Sequence, residues 1–127
     1  MAKILALDDV PDAGHLIKRI LAGRGHDVSV FTEEKDALAY ARSHHVDLAI
    51  LDIKLKTMSG IEVLKELKTI APGIRAIMLT GYPTEETERA AFERGADRYC
   101  SKPLDTEELE WIVDEVLMLP PRGSGGD

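Results

Sequence analysis

The chain has 127 residues, 44% of them hydrophobic and 31% charged, with a formal net charge of −7. That length supports one domain with a single core, and the composition is that of a globular chain rather than a disordered or fibrous one. The acidic balance argues against a nucleic-acid-binding surface, which needs clustered Lys and Arg, and no apolar run approaches the ~20 residues of a membrane span. The single cysteine, Cys100, has no internal disulfide partner and sits in a predicted strand between Tyr99 and Ser101, so burial is its expected fate. Met1-Ala2-Lys3 runs at once into a strand rather than a signal-peptide core, and a reducing cytoplasm is the expected setting.

The hydrophobic period switches repeatedly between short unbroken runs and helical spacing. Ile4 to Leu7 predicts a strand, and the stripe Leu16, Ile17, Ile20, Leu21 predicts a helix closed by Gly23 and Gly25. Val28 to Phe31 follows as a second strand, with Ala37, Leu38 and Ala41 marking a second helix. Val46 to Leu51 is the third strand, and 60–70 the third helix, through Ile61, Leu64 and Leu67 with Pro72-Gly73 as its stop. Ala76 to Leu79 makes the fourth strand, 83–94 the fourth helix, and Arg98 to Ser101 the fifth strand. Leu109, Ile112, Val113, Val116 and Leu117 share one face of the last helix. Five strand–helix units in alternation imply an α/β fold, a five-stranded parallel sheet with helices on both faces, because right-handed crossovers put them there. The domain is expected to span 1–119, with 120–127 a flexible tail or truncated linker.

In such sheets, ligands bind beyond the carboxyl ends of the strands. Strand one ends in Asp8-Asp9, strand three in Asp52, strand four in Thr80-Gly81 and strand five in Ser101-Lys102-Pro103, whereas strand two ends blandly in Phe31-Thr32. An Asp just before Pro11 also fits a helix N-cap. Two adjacent acids repel, however: at ~4 Å and an effective dielectric of ~20 the repulsion approaches ~4 kcal/mol, and a cation relieves it. Hard oxygen ligands around an open position suit Mg²⁺, which is typically held by one or two carboxylates plus a phosphate. Asp8 and Asp9 are therefore candidate metal ligands.

These four motifs, Asp8-Asp9, Leu51-Asp52 followed by Gly60, Leu79-Thr80-Gly81 and Ser101-Lys102-Pro103, together resemble the receiver domains of two-component response regulators over roughly residues 2–119. The resemblance implies a flavodoxin-like doubly wound (βα)5 sheet of order 2-1-3-4-5. It implies a phosphoacceptor rather than a conventional enzyme: Asp52 takes a phosphoryl group from a sensor histidine kinase or phosphotransfer protein. Mg²⁺ is then held by Asp8, Asp9, Asp52 and the backbone carbonyl of Lys54. Lys102 contacts a phosphoryl oxygen, and the Lys102–Pro103 bond is expected to be cis. Thr80 and Tyr99 are the expected switch, moving the surface of helix four, strand five and helix five toward a downstream target or output domain. The fourth helix, with Ala90, Ala91 and Phe92 as its apolar anchors, should be weakly held.

Two departures from that pattern stand out. Many receivers carry Met-Pro three and four residues after the nucleophile, but here Leu55-Lys56 occupies those positions, and the loop lacks a stiffening proline. Lys54 and Tyr82, two residues beyond Asp52 and Thr80, are both large and flank the attacking-water path in related domains. A haloacid-dehalogenase-type phosphatase fits less well, because its second Asp would fall at Lys54, and neither a flavin phosphate loop nor an Asp-x-His-x-x-Gly cobalamin motif is present. The alternative is a pseudo-receiver adaptor that is never phosphorylated, whose usual mark is loss of an acid or the lysine; none is lost. Trp111 and Met118 lie seven positions apart, opposite the apolar face of the last helix. They are expected to be exposed, marking a docking or homodimer surface.

Overall fold

In the computed structural model, residues 1–55 and 57–120 are described, so the expected tail lies outside them apart from Pro120. Strands and helices alternate as β1 Lys3–Leu7, α1 Pro11–Ala22, β2 Asp27–Phe31, α2 Glu34–Ser43, β3 Leu48–Asp52, α3 Gly60–Ile70, β4 Arg75–Thr80, α4 Glu85–Glu93, β5 Arg98–Ser101 and α5 Thr106–Leu117. All neighbouring strands are parallel and ordered β2-β1-β3-β4-β5. This is the expected doubly wound sheet.

The central strands β1, β3 and β4 read as near-continuous apolar runs because both faces are covered, whereas the edge strands β2 and β5 carry polar residues. Side chains alternate between two cores. Leu5, Leu7, Ala49, Leu51, Ala76 and Met78 face Ala37, Leu38, Val63, Leu64, Leu67 and Ala91 of α2, α3 and α4. Ile4, Ala6, Leu48, Ile50, Ile77 and Leu79 face Ile17, Leu21, Leu109, Val113 and Val116 of α1 and α5. Each fully buried aliphatic of this size stabilises the fold by roughly 1.5–3 kcal/mol, so the central strands β1, β3 and β4 form a rigid platform. Their carboxyl ends carry the acids.

Local chemistry sets the helix boundaries. Ser59 with Glu62, Thr84 with Thr87 and Asp105 with Glu108 form capping boxes that start α3, α4 and α5. The Thr84 cap moves the start of α4 two residues past the expected 83. β3 runs Leu48–Asp52 rather than from Val46, and Asp47 just before it accepts the Lys3 amide on Oδ2 at 2.8 Å. Gly60 is required where it stands: a Cβ there would lie 2.2 Å from the Asp52 carbonyl oxygen, so α3 begins hard against the end of β3.

Several expectations need correction. Neither Asp8 nor Asp9 caps α1; the N-cap is Val10, with Pro11 opening the helix. Leu16 is 48% exposed, because the buried stripe of α1 is the narrower line Gly14, Ile17 and Leu21. Phe92 is 42% exposed and only Ala91 of α4 is buried, so that helix has even less anchorage than its sequence suggested. Cys100 is half-buried, on the short edge strand β5, and burial raises its pKa. Among the described residues no helix is long and apolar enough to cross a membrane.

Candidate functional site

Asp8 follows β1 directly, and its backbone amide donates to the Phe31 carbonyl at 3.1 Å, which extends the sheet edge by one residue. Its carboxylate turns inward: Oδ1 accepts from the Val10 amide at 2.9 Å and Oδ2 from Lys102 Nζ at 2.8 Å. This local turn, rather than a helix cap, is what the first acid does. Asp52 ends β3, two strand positions beyond Ile50, and is buried at 6% exposure. Asp8, Asp9 and Asp52 each present a carboxylate oxygen, and these oxygens lie within 4.8 Å of one another. Asp9 is the most open of the three.

Lys102 crosses from the end of β5, with Nζ 2.8 Å from Asp8 and 3.4 Å from Asp52. Its peptide bond to Pro103 is cis, as expected, and its own amide donates to the Thr80 carbonyl at 2.8 Å, joining the ends of β4 and β5. Burial disfavours the ammonium, but the Asp8 hydrogen bond and the charges of Asp52 and Asp8 outweigh it, raising the Lys102 pKa. Burial and the nearby Asp8 charge raise the Asp52 pKa, while Lys102 and the Lys54 amide hold it down. Among the described residues, one ammonium thus pairs with two of the three carboxylates, which leaves the cluster with an excess of negative charge. That imbalance, with hard oxygen donors around an open position, fits a divalent cation such as Mg²⁺.

Thr80 is buried at the end of β4, one residue past Leu79, the register partner of Asp52, and its Oγ1 accepts from the Tyr82 amide at 3.0 Å. Tyr99 does not leave its hydroxyl in water. It accepts from the Thr84 amide at 3.1 Å and pairs with Thr87 Oγ1 at 2.6 Å, so β5 is tied to the first turn of α4. The side chains of Lys54 and Tyr82 meet: the ammonium lies 4.8 Å from the ring centroid. Trp111 and Met118 are 63% and 86% exposed, as their helical phase predicts.

Sequence reasoning missed one residue near the site. Glu34, the first residue of α2, is only 6% exposed, and its Oε2 accepts from the Thr57 amide, the Thr57 hydroxyl and the Met58 amide at 2.9, 2.8 and 3.1 Å. Burial works against its charge, but these hydrogen bonds prevail and lower its pKa to about 2. The only hint in the sequence is an acid in the first turn of a helix, which ordinarily signals nothing beyond the helix dipole.

A doubly wound parallel sheet with three acids and a bridging lysine at its carboxyl edge defines a receiver-class signalling domain. The family model described as the response regulator receiver domain matches residues 4–114, and the chain belongs to that family of two-component response regulators. The transcriptional regulatory protein ZraR of Klebsiella oxytoca is 36% identical over 116 residues, covering 90% of this chain and 26% of the relative. The chain therefore spans about a quarter of the length of that relative. A protein of Leptolyngbya boryana described as an uncharacterized 14.6 kDa protein in the sodA1 3′ region is 33% identical, covering 93% of this chain and 92% of its own. Among solved structures, the response regulator receiver domain protein (CheY-like) of Methanospirillum hungatei superposes with a TM-score of 0.89 at 32% identity, covering 92% and 94% of the two chains.

Proposed function

We propose that this domain is a phosphoacceptor switch that takes a phosphoryl group on Asp52 from a phosphohistidine of a sensor kinase or phosphotransfer protein, in a Mg²⁺-dependent reaction. The observation that carries this reading is the convergence of Asp8, Asp9 and Asp52 within 4.8 Å, with the Lys102 ammonium seated between Asp8 and Asp52. An Asp52 carboxylate oxygen attacks phosphorus as the N–P bond breaks; the imidazole leaves and takes up a proton, and an acyl phosphate remains. Asp8, Asp9, Asp52 and the Lys54 carbonyl hold the cation. When bound, Mg²⁺ neutralises charge on the carboxylates and phosphoryl oxygens. Lys102 exchanges its Asp8 contact for a phosphoryl oxygen and stabilises charge as the bond forms.

Readout follows from the two hydroxyls. Thr80 releases the Tyr82 amide and donates to a phosphoryl oxygen, drawing the β4–α4 loop inward. The Tyr99 bonds to Thr84 and Thr87 transmit that movement to α4, which has one buried side chain and little to resist it. The surface of α4, β5 and α5, with Trp111 beside it, then engages a downstream target, an output domain or a second copy. Residues 1–119 constitute the switch, working in the cytoplasm, and it catalyses only its own phosphorylation and dephosphorylation. Incubation with acetyl phosphate and Mg²⁺ tests the proposal: intact mass should show one added phosphoryl group, which does not form when chelator is present from the start or in Asp52→Ala. Equal labelling of Asp52→Ala refutes it.

A further inference from the structure

The segment 54–59 leaves β3 and enters α3, and its base is closed tightly. Ile53 donates to the Leu79 carbonyl at 2.9 Å, the Gly60 amide donates to the Ile53 carbonyl at 2.7 Å, and the Ser59–Glu62 capping box fixes the exit. Lys54, at the start of this loop, carries the carbonyl assigned to the metal. Thr57 and Met58 lie between that closed base and the capped exit. The sequence supplies no proline there, having Leu55-Lys56 where many receivers have Met-Pro. A restraint from outside the loop takes that role. Glu34 Oε2 collects two amides and one hydroxyl from Thr57 and Met58, and Leu55 and Met58 pack on the same core as α2.

A buried carboxylate is a costly way to fill space; an aliphatic side chain at the first turn of α2 would cover the same surface more cheaply. What the charge adds is directional: three donors from two adjacent loop residues must point at one oxygen, which admits few loop conformations. We infer that Glu34 is a positioning residue for the metal site, holding the β3–α3 loop in the conformation that presents the Lys54 carbonyl to a cation shared by Asp8, Asp9 and Asp52. Glu34 touches neither the cation nor the phosphoryl group, and acts through the backbone. The inference rests on the proposed metal-binding reading. It extends the site from the sheet edge to a helix on the far side of the loop, 23 residues away along the chain.

The test uses the full chain and Mg²⁺ alone. Calorimetric Mg²⁺ titration should show Glu34→Ala binding about tenfold more weakly, the usual loss when a residue that orients a ligand is removed. In the metal-free protein, amide exchange at Thr57 and Met58 should accelerate about tenfold, as expected for loss of hydrogen bonds to a charged group. Glu34→Gln, which keeps the acceptor oxygen without the charge, should recover part of both effects. A Glu34→Ala protein with unprotected Thr57 and Met58 amides but wild-type Mg²⁺ affinity overturns the inference, because the latch is then only structural. Unchanged amide exchange overturns it as well. If Glu34→Ala does not fold, Glu34→Gln and Thr57→Val carry the test, each predicted to weaken Mg²⁺ binding several-fold; wild-type affinity in both refutes it. Failure of the phosphorylation reading is separately visible: the wild type then binds Mg²⁺ in a Glu34-dependent manner but is never labelled by acetyl phosphate.

Discussion

Replacing Lys102 by methionine removes the one cation that, among the described residues, pairs with both Asp8 and Asp52, while keeping most of the side-chain volume. Asp8 and Asp52 side chains are 3% and 8% exposed, and their oxygens lie within 4.8 Å. At that distance and an effective dielectric of ~20 the unrelieved repulsion is about 3.5 kcal/mol. Lys102 is 30% exposed, so solvent already screens part of its benefit, and the net loss should be about 2–3 kcal/mol. Protonating one acid near pH 7 costs about 4 kcal/mol for an ordinary Asp and less for Asp52, whose pKa is already raised, so the penalty is bounded near that figure. For a chain of this size, about 2–3 kcal/mol corresponds to a fall of roughly 8–12 °C in Tm. Differential scanning calorimetry in chelator and in millimolar Mg²⁺ provides the assay. The metal-induced rise in Tm should be larger in Lys102→Met than in the wild type, because the cation then relieves repulsion that lysine no longer offsets. The pH dependence has a definite sign: a carboxyl whose folded pKa is raised loses stability as pH climbs through that pKa. The variant should therefore approach the wild type in acid and diverge above it. A variant melting within about 2 °C of the wild type in chelator, or one with a smaller Mg²⁺ shift, refutes this electrostatic account.

Three further outcomes follow. Glu34 has its pKa lowered to about 2 from 4.5, so its contribution to stability is complete above the unfolded value and lost as pH falls toward about 2; Glu34→Gln should flatten the acid limb of a stability–pH profile, and a parallel limb contradicts this. The Lys54–Tyr82 pair should obstruct water in line with the Asp52–phosphorus bond, so Lys54→Ala with Tyr82→Ala should hasten loss of label several-fold; unchanged or slower hydrolysis makes steric shielding wrong. Trp111 fluorescence should shift on adding beryllofluoride and Mg²⁺, and Trp111→Glu should weaken self-association or partner binding in sedimentation; no change in either state removes that surface from the account.

What the sequence made legible was whatever a single element encodes. Hydrophobic period with glycine and proline stops located the ten elements, most directly the central strands β1, β3 and β4, which are buried on both faces, whereas the edge strands β2 and β5 are only partly buried. The phase of α5 predicted exposed Trp111 and Met118 from the buried positions Leu109, Val113 and Val116. The strand-end motifs pointed to one edge, and the structure brings Asp8, Asp9, Asp52 and Lys102 together there. Pairings between distant residues were illegible. Glu34 reaches Thr57 across 23 positions, and the Tyr99 hydroxyl finds Thr84 and Thr87, because partners like these are set by packing and not by local period. Leu16 and Phe92 failed for a related reason: an apolar residue at helical spacing is buried only if the neighbouring element extends far enough to cover it. A helix cap was one reading of an acid before Pro11, but the Asp8 carboxylate is drawn to Lys102, 94 residues away.

The central claim is that Asp52, and no other residue, carries the phosphoryl group. An acyl phosphate is reduced by borohydride to an alcohol, so an aspartyl phosphate is converted to homoserine at the modified position. Treating the protein with acetyl phosphate and Mg²⁺, trapping with borohydride and sequencing the peptides by mass spectrometry should place homoserine at residue 52, in Mg²⁺-dependent yield and strongly reduced in Lys102→Met. Homoserine at Asp8 or Asp9 instead, or none at any position despite a folded, Mg²⁺-binding protein, contradicts the account.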